Sequence, residues 1–249
     1  MNRPKVVTCN MVSVDGRLTI APGVQLLFGD ERWSAIAGSS DPYQWVRHIH
    51  DPDLLLEGSN SFVGTDAEPA AYAGADADDA QGDNQHLPLD IVEQPGRRWF
   101  AVVDGRGRVQ LQFTEYPDPS WSGWHALVLT SHAASTQHLN WLRQAGIPYL
   151  VVGEGPVDLD EALQLLWGEL GVRTVVCTGG GQLGGALLRA GLVDEIDVEI
   201  LPAAIGGRGT PALFDAEPLR SSEDPTQLRL LSCDVGDDDH LRVRYAVRR

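Results

Sequence analysis

The segment 175–185, VVCTGGGQLGG, constrains the fold more than any other part of this chain. A short apolar, β-branched strand runs directly into three glycines, and a helical pattern at 182–190 follows and ends at Gly191. Consecutive glycines let a ligand approach the backbone closely, and the amides at a helix N-terminus bind phosphate groups. The segment therefore indicates an α/β fold with a phosphate-binding turn, and a tight turn without a ligand is the alternative.

Strands and helices alternate on both sides of this turn. Apolar, β-branched runs predict strands at 5–14, 53–59, 99–103, 126–130, 149–152, 173–177, 195–201, 228–234 and 240–247. Amphipathic spacing predicts helices between 30 and 50, with a break near 38–42, and at 138–145 and 159–170. We therefore expect a mixed, mostly parallel central sheet with helices on both faces.

The charge of the chain excludes some classes of function. There are 19 Lys and Arg residues against 35 Asp and Glu, which gives a formal net charge of -16. Nonspecific binding to nucleic acid or to a membrane surface requires a cationic field, so we expect neither as a partner. Eight acidic residues and no Lys or Arg lie between 66 and 93. We predict a single domain over 1–249 with an acidic, solvated loop insertion at about 65–95.

The cysteines and the hydropathy of the chain carry further expectations. Cys9, Cys177 and Cys233 are widely spaced and have no histidine at ligand spacing along the sequence, so we predict neither a metal site nor disulfides. The first residues contain no long apolar run after their charges, and no run of about 18 apolar residues occurs anywhere. We therefore expect a soluble, cytoplasmic protein.

The block 176–207, VCTGGGQLGGALLRAGLVDEIDVEILPAAIGG, closely resembles the signature of the reductase domain of riboflavin biosynthesis. That domain forms the C-terminal half of a bifunctional deaminase-reductase and also exists as a standalone pyrimidine reductase. Its fold resembles dihydrofolate reductase. Supporting segments follow in the order of the family, at 13–17 (SVDGR), 54–61, 99–104, 126–131 and 155–170.

The resemblance implies a reaction and two catalytic residues. The family uses NADPH to reduce a (di)aminopyrimidine or aminouracil ribosylamino 5′-phosphate, with hydride transfer to C1′ that leaves a ribityl chain. Arg17 would orient the phosphoribosyl part, and Asp104 would hydrogen-bond the sugar or relay a proton. From the residues alone, a solvated loop arginine and an aspartate that caps turn amides are the alternatives. The resemblance also places four residues at the substrate: Asn10, Ser13, Asp15 and Thr178.

The resemblance further implies where NADPH binds. Gly58 and Ser59 would lie near the nicotinamide half. Thr130 and Ser131 would lie at the adenosine side, where an ordinary Ser/Thr turn is the alternative. The residues expected to hold the pyrophosphate are Gly179, Gly180, Gly181 and Leu183.

One position departs from the family and leaves the substrate open. Many members have a glutamate immediately before the glycines, whereas this chain has Thr178, which cannot ionise. A reductase of the same fold with another heterocyclic or carbonyl substrate is therefore an alternative, and a non-catalytic nucleotide-binding protein is a third. The family also implies a homodimer.

Overall fold

The structure, a computed structural model, describes residues 2–24, 30–64, 66–69, 72, 85–116, 121–236 and 238–249. These residues form two compact units. The first contains the residues up to Pro4 together with Asp53–Arg173, and the second contains Lys5–Pro52 and Thr174–Arg249. The organisation of 1–249 as a single domain stays a prediction.

The predicted elements are present, with bounds that differ by a few residues. The strands are β1 (Lys5–Ser13), β2 (Leu54–Gly58), β3 (Gln85–His86), β4 (Arg98–Val103), β5 (Trp124–Thr130), β6 (Tyr149–Val151), β7 (Thr174–Cys177), β8 (Glu195–Leu201), β9 (Leu228–Val235) and β10 (Leu241–Val247). The helices are α1 (Glu31–Ala37), α2 (Pro42–His50), α3 (Leu89–Val92), α4 (Thr136–Gln144), α5 (Leu159–Glu169) and α6 (Gly181–Arg189), and a 3₁₀ turn covers Ser59–Ser61.

Local sequence signals set the ends of the helices. Asp41 caps α2 by accepting from the amides of Tyr43 and Gln44, both at 3.0 Å, and Pro42 follows it at the first helical position. Asp158 caps α5 in the same way. Gly146 follows α4 with a φ of 68°, a backbone conformation that glycine adopts without strain. Because α1 ends at Ala37 and α2 begins at Pro42, the break predicted near 38–42 is confirmed.

The sheet of the first unit has the strand order β3-β6-β5-β4-β2. β2 pairs with β4, β4 with β5 and β5 with β6, all in parallel, while β3 runs antiparallel to β6. Every residue of β5 is buried. A strand buried on both faces is typical of a parallel sheet.

The sheet of the second unit has the order β7-β1-β8-β10-β9. β1 pairs in parallel with β7 and with β8, and β10 pairs antiparallel with β8 and β9. Each unit thus contains parallel strands and an antiparallel addition at one end. The prediction of an α/β protein with a mixed, mostly parallel sheet is confirmed.

The acid-rich segment, which is the loop insertion predicted at about 65–95, is the part of the fold that sequence patterns described least well. Residues 65, 70, 71 and 73–84 lie outside the described residues. The described part is not a uniformly solvated loop, because it supplies β3 and α3, and because the side chain of Tyr72 is only 4% exposed. In the part of the chain that the structure describes, no helix is long and apolar enough to cross a membrane.

Candidate functional site

Three strands of the first unit end side by side and bring several predicted residues together. Gly58 ends β2 and lies opposite Val103 of β4, which in turn lies opposite Leu129 of β5. The amide of Asp104 donates to the Leu129 oxygen at 2.9 Å. Gly58, Asp104 and Thr130 therefore lie at the carboxyl edge of one sheet, where open α/β sheets bind ligands.

The two carboxylate oxygens of Asp104 have different surroundings. Oδ2 accepts from the backbone amides of Arg108 at 2.6 Å and Val109 at 2.7 Å. Oδ1 is buried and has no hydrogen-bond partner among the described residues, although Arg108 Nε lies 3.8 Å away. Because a buried polar atom without a hydrogen bond is costly, Oδ1 marks a place where a ligand can supply a donor.

Arg108 is a site residue that sequence reasoning missed. Its guanidinium is largely buried and donates to the hydroxyl of Ser59, to Asn60 Oδ1 at 2.9 Å and to the Gly64 oxygen at 3.2 Å. Burial lowers the pKa of Arg108, and the nearby Arg106 lowers it further, yet a guanidinium remains charged. The available signal was an arginine shortly after a strand-end aspartate, since the turn at 105–106 brings the chain back towards the carboxylate.

The hydroxyl groups predicted to contact the cofactor have protein partners. Thr130 Oγ1 donates to the backbone carbonyl oxygen of Asp104 at 2.8 Å. Ser131 Oγ lies 2.7 Å from the Gly105 oxygen and 2.6 Å from the Gly155 oxygen, and its single proton serves one of them at a time. These bonds match the alternative of a Ser/Thr turn, and the adenosine role of both residues stays a prediction.

In the second unit, Asn10 holds the glycine turn. Thr8 of β1 lies opposite Cys177, the last residue of β7, so β1 continues past the end of β7. Asn10 Nδ2 consequently reaches the oxygens of Thr178 and Gly179, each at 3.2 Å. The two donors of the Asn10 amide thus shape the turn, and the predicted role of Asn10 in substrate binding stays a prediction.

The glycines of the turn have two separate reasons to be present. A Cβ on Gly181 would lie 2.0 Å from the oxygen of Ala212, and one on Gly185 would lie 3.0 Å from the Cβ of Ala216. These two glycines therefore admit the segment 212–216 against α6, which is the ligand-free reason. Gly180 caps α6 without any side-chain hydrogen bond. A helix N-terminus without a side-chain cap fits an anion such as a pyrophosphate.

The loop 13–17 is held by its own polar side chains. Asp15 accepts from the amides of Ile205 at 3.0 Å and Gly206 at 2.8 Å, and from Ser13 Oγ at 2.7 Å. These bonds, the one from Ile205 foremost, hold the pKa of Asp15 well below its usual value. Arg17 Nη1 donates to the Thr210 oxygen at 2.8 Å. Ser13 and Asp15 thus fix the loop that carries Arg17.

The second unit also contains a cluster with metal-ligand spacing, which was not predicted because its members are far apart in sequence. Single S, N and O atoms of Cys9, His50 and Asp197 lie within 4.8 Å of one another. However, Asp197 Oδ2 already accepts from Trp45 Nε1 at 2.8 Å and lies 2.6 Å from His50 Nε2. Burial raises the pKa of the Cys9 thiol, which disfavours the thiolate that binds metals. Hydrogen bonding accounts for this cluster without a metal.

The predicted site residues therefore fall into two groups, one in each unit, and every assigned role stays a prediction. The group in the first unit is Gly58, Ser59, Asp104, Thr130 and Ser131. The group in the second unit is Asn10, Ser13, Asp15, Arg17, Thr178, Gly179, Gly180, Gly181 and Leu183.

Comparison with known proteins places these residues in context. The family model of the RibD C-terminal domain matches residues 4–241. Two relatives are named 2,5-diamino-6-ribosylamino-4(3H)-pyrimidinone 5′-phosphate reductase. The one from Methanothermobacter thermautotrophicus is 28% identical over 99% of this chain and 99% of its own length. The one from Aquifex aeolicus is 26% identical over 93% of this chain and 92% of its own length.

Solved structures share the fold. A pyrimidine reductase-like protein from Corynebacterium diphtheriae has a TM-score of 0.67 at 18% identity, covering 99% of this chain and 92% of that one. RibD from Acinetobacter baumannii has a TM-score of 0.63 at 20% identity, covering 99% of this chain and 58% of that one. At these identities the likeness concerns the fold alone, and it agrees with the dihydrofolate reductase-like architecture expected from the sequence.

Proposed function

Since this chain belongs to the RibD C-terminal domain family, we propose that it is an NADPH-dependent reductase of riboflavin biosynthesis. Its substrate is a ribosylamino-pyrimidine 5′-phosphate, and the diaminopyrimidinone form is the compound named for the relatives that match over nearly their whole length. The reaction converts the ribosyl group to a ribityl group. The observation that carries the proposal is the buried Oδ1 of Asp104 at the carboxyl edge of the sheet, which has no hydrogen-bond partner among the described residues.

The residues of the glycine turn suit a dinucleotide. The pyrophosphate would bind the amides at the start of α6, where Gly180 provides no side-chain cap and Asn10 fixes the preceding carbonyls. Backbone amides can hold phosphate groups in a chain of strongly negative net charge, because they require no basic side chain. A bound reduced nicotinamide would supply the hydride. The preference of the protein for NADPH over NADH is inferred from the family resemblance.

Asp104 is proposed to act on the sugar. The open-chain imine form of the substrate gains a hydride at C1′, and a proton is needed at the nitrogen that receives the electron pair of the C=N bond. With Oδ2 fixed by two backbone amides, Oδ1 is left to accept from a sugar hydroxyl or to pass on this proton.

Arg17 and Thr178 are proposed to contact the substrate in the second unit. Arg17 is held by the Thr210 carbonyl on a loop that Asp15 anchors, so its cationic group is positioned for the phosphoribosyl moiety. Thr178 offers a hydroxyl where many family members have a carboxylate. This difference favours testing a second candidate, namely a reductase of another heterocyclic or carbonyl compound.

We also propose that the protein is a homodimer located in the cytoplasm. The family resemblance supports both statements. The dimer is further supported by exposed apolar side chains on β9, where Leu230 is 54% exposed and Val235 is 79% exposed. Apolar side chains concentrated on one strand at the end of a sheet favour pairing with another copy.

The proposed function is tested by following NADPH oxidation with purified protein. The diaminopyrimidinone and the aminouracil ribosylamino 5′-phosphates are each supplied as substrate, and the ribityl product is identified by mass spectrometry. We expect oxidation of one equivalent of NADPH for each ribityl group formed. The variant Gly180→Asp places a carboxylate at the cap of α6, where the pyrophosphate is proposed to bind. This variant should abolish NADPH binding.

The possible failures are distinct. NADPH binding without oxidation of either compound would contradict the riboflavin-pathway reaction and favour the alternative substrate. Absence of binding by both NADPH and NADH would contradict a reductase of any kind.

A further inference from the structure

Tyr72 lies in the acid-rich segment, yet it is anchored in the interior of the first unit. Its ring lies 5.0 Å from the ring of His138 and 5.5 Å from that of Trp141, both on α4. The side chain is 4% exposed and His138 is fully buried. Tyr72 of the acid-rich segment thus lies beside the loop that follows β4.

The hydroxyl of Tyr72 has a defined hydrogen-bond direction. It donates to the oxygen of Gly107 at 2.8 Å, since a carbonyl can only accept. The single proton of the hydroxyl is then used, so His138 Nδ1, at 2.7 Å, must be the donor to Tyr72 Oη. Burial raises the pKa of Tyr72 and lowers that of His138 to about 4, so both groups are neutral at ordinary pH.

The carbonyl that Tyr72 binds belongs to the peptide group that also orients Asp104. The Gly107 oxygen and the Arg108 amide are the two ends of one planar unit. Asp104 Oδ2 accepts from that amide at 2.6 Å, while Tyr72 binds the oxygen at the opposite end. A rotation of this peptide would therefore break both bonds at once.

The packing around Gly107 shows that the turn is closely fitted. Gly107 has a φ of 64°, and a Cβ there would lie 2.7 Å from Cγ of His138. The ring of His138 thus lies directly against the backbone of the turn, and the same ring donates to Tyr72. Tyr72, His138 and the peptide 107–108 form one connected group.

We propose that Tyr72 is a positioning residue that holds the peptide 107–108, and through it the Asp104 carboxylate, in the orientation that keeps Oδ1 without a backbone hydrogen bond and able to accept one from the substrate. The inference rests on the proposed function, because Asp104 is the group that the reaction would use. It gives the acid-rich segment a role, since that segment delivers the hydroxyl that completes the turn. Tyr72 itself touches neither substrate nor cofactor in this assignment.

The test compares Tyr72→Phe, which removes the hydroxyl and keeps the ring contacts, with Tyr245→Phe on β10 as the matched control. We expect kcat/KM for the ribosylamino substrate to fall about fivefold or more in Tyr72→Phe, the effect of one lost hydrogen bond, while Tyr245→Phe matches the wild type. The Kd of NADPH should not change, because the proposed pyrophosphate-binding amides belong to other residues. A purely structural role would instead lower the melting temperature and leave the kinetics of the folded enzyme unchanged.

Amide hydrogen exchange provides a readout that does not depend on turnover. The peptide covering 104–110 should exchange faster in Tyr72→Phe than in the wild type, with no change in Tyr245→Phe. Unchanged exchange, or faster exchange with unaltered kcat/KM, would overturn the positioning role. If the wild type shows no turnover, the proposed reaction fails, and the exchange experiment alone decides whether Tyr72 holds the turn.

Discussion

The two carboxylate oxygens of Asp104 have different surroundings, and a substitution can test the role proposed for Oδ1. In Asp104→Asn, the remaining side-chain oxygen can still accept the Arg108 and Val109 amides that Oδ2 binds now. The fold should survive while the negative charge is lost. We expect kcat/KM to fall by about 10²-fold or more, as is typical for a general acid or base. Steady-state kinetics with the ribosylamino substrate checks this.

The matched control for Asp104→Asn is Asp158→Asn. Asp158 also accepts two backbone amides, at the start of α5, and asparagine caps helices about as well as aspartate. Its kinetics and melting temperature should match those of the wild type. An equal loss of activity in both variants would contradict a specific role for the Asp104 carboxylate.

His138 predicts how stability depends on pH. Burial lowers its pKa from 6.5 to about 4, so below pH 6.5 the unfolded chain binds a proton that the folded protein does not. The contribution of His138 to the free energy of unfolding is therefore fully present above pH 6.5. It falls by about 3 kcal/mol as the pH drops towards 4. Urea unfolding at a series of pH values measures this slope. In His138→Asn, which keeps a donor near Nδ1 but does not titrate, the contribution of this residue to the slope should vanish.

At the scale of elements, α6 depends on a close approach that only glycine permits. In Gly181→Ala, the new Cβ would meet the Ala212 oxygen at 2.0 Å, and the segment 212–216 would have to move. We expect a loss of about 1–3 kcal/mol in the free energy of unfolding, as for other overpacked sites. The same substitution at Gly168, an exposed position in α5 with no atom within 4 Å of the added Cβ, is the control. It should stabilise the protein by up to about 1 kcal/mol through helix propensity, and chemical denaturation measures both.

The elements that were predicted correctly are those whose signals are local. The cap Asp158, the stop at Gly146 and the apolar run of β5 each lie within or next to the element they define. The strand β3 and the burial of Tyr72 were missed because they depend on β6 and on α4, which follow much later in the chain. Acidic composition describes the solvated residues of a segment and says nothing of a single aromatic anchor within it.

The same distinction applies to the candidate site. The strand-end position of Asp104 and the glycine turn followed from local patterns and from the family resemblance. Local patterns could not predict the partners of Arg108 or the contact of Gly181 with Ala212, because both arise from packing between distant segments. A glycine-rich motif alone does not separate the glycines that meet a ligand from those that meet the protein itself.

The whole molecule carries its negative charge unevenly, and this affects which ligands it can bind. The acid-rich segment has eight acidic residues and no Lys or Arg between 66 and 93, and four more acidic residues lie between 234 and 239. The amides proposed to bind phosphate lie in neither segment. A net charge of -16 therefore disfavours nonspecific binding of polyanions, while it remains compatible with a phosphorylated cofactor.

The proposed homodimer has a surface that suits it. β9 is the last strand of the second unit's sheet, and among the described strands of that unit it pairs with β10 alone. If two copies of β9 pair antiparallel about an axis between Leu231 and Ser232, Arg229 of one copy lies opposite Asp234 of the other. Opposite charges at facing positions stabilise a strand pair and fix its register.

We therefore expect light scattering to give twice the 27.0 kDa of one chain, and the double variant Leu230→Asp, Val235→Asp to give a single chain mass. Two charges would be buried at the interface, which disfavours pairing, whereas the folded monomer leaves both positions exposed. Leu219→Asp, at an exposed apolar residue outside β9, should remain dimeric. A monomeric wild type would contradict the dimer, and a dimeric double variant would place the interface on a surface other than β9.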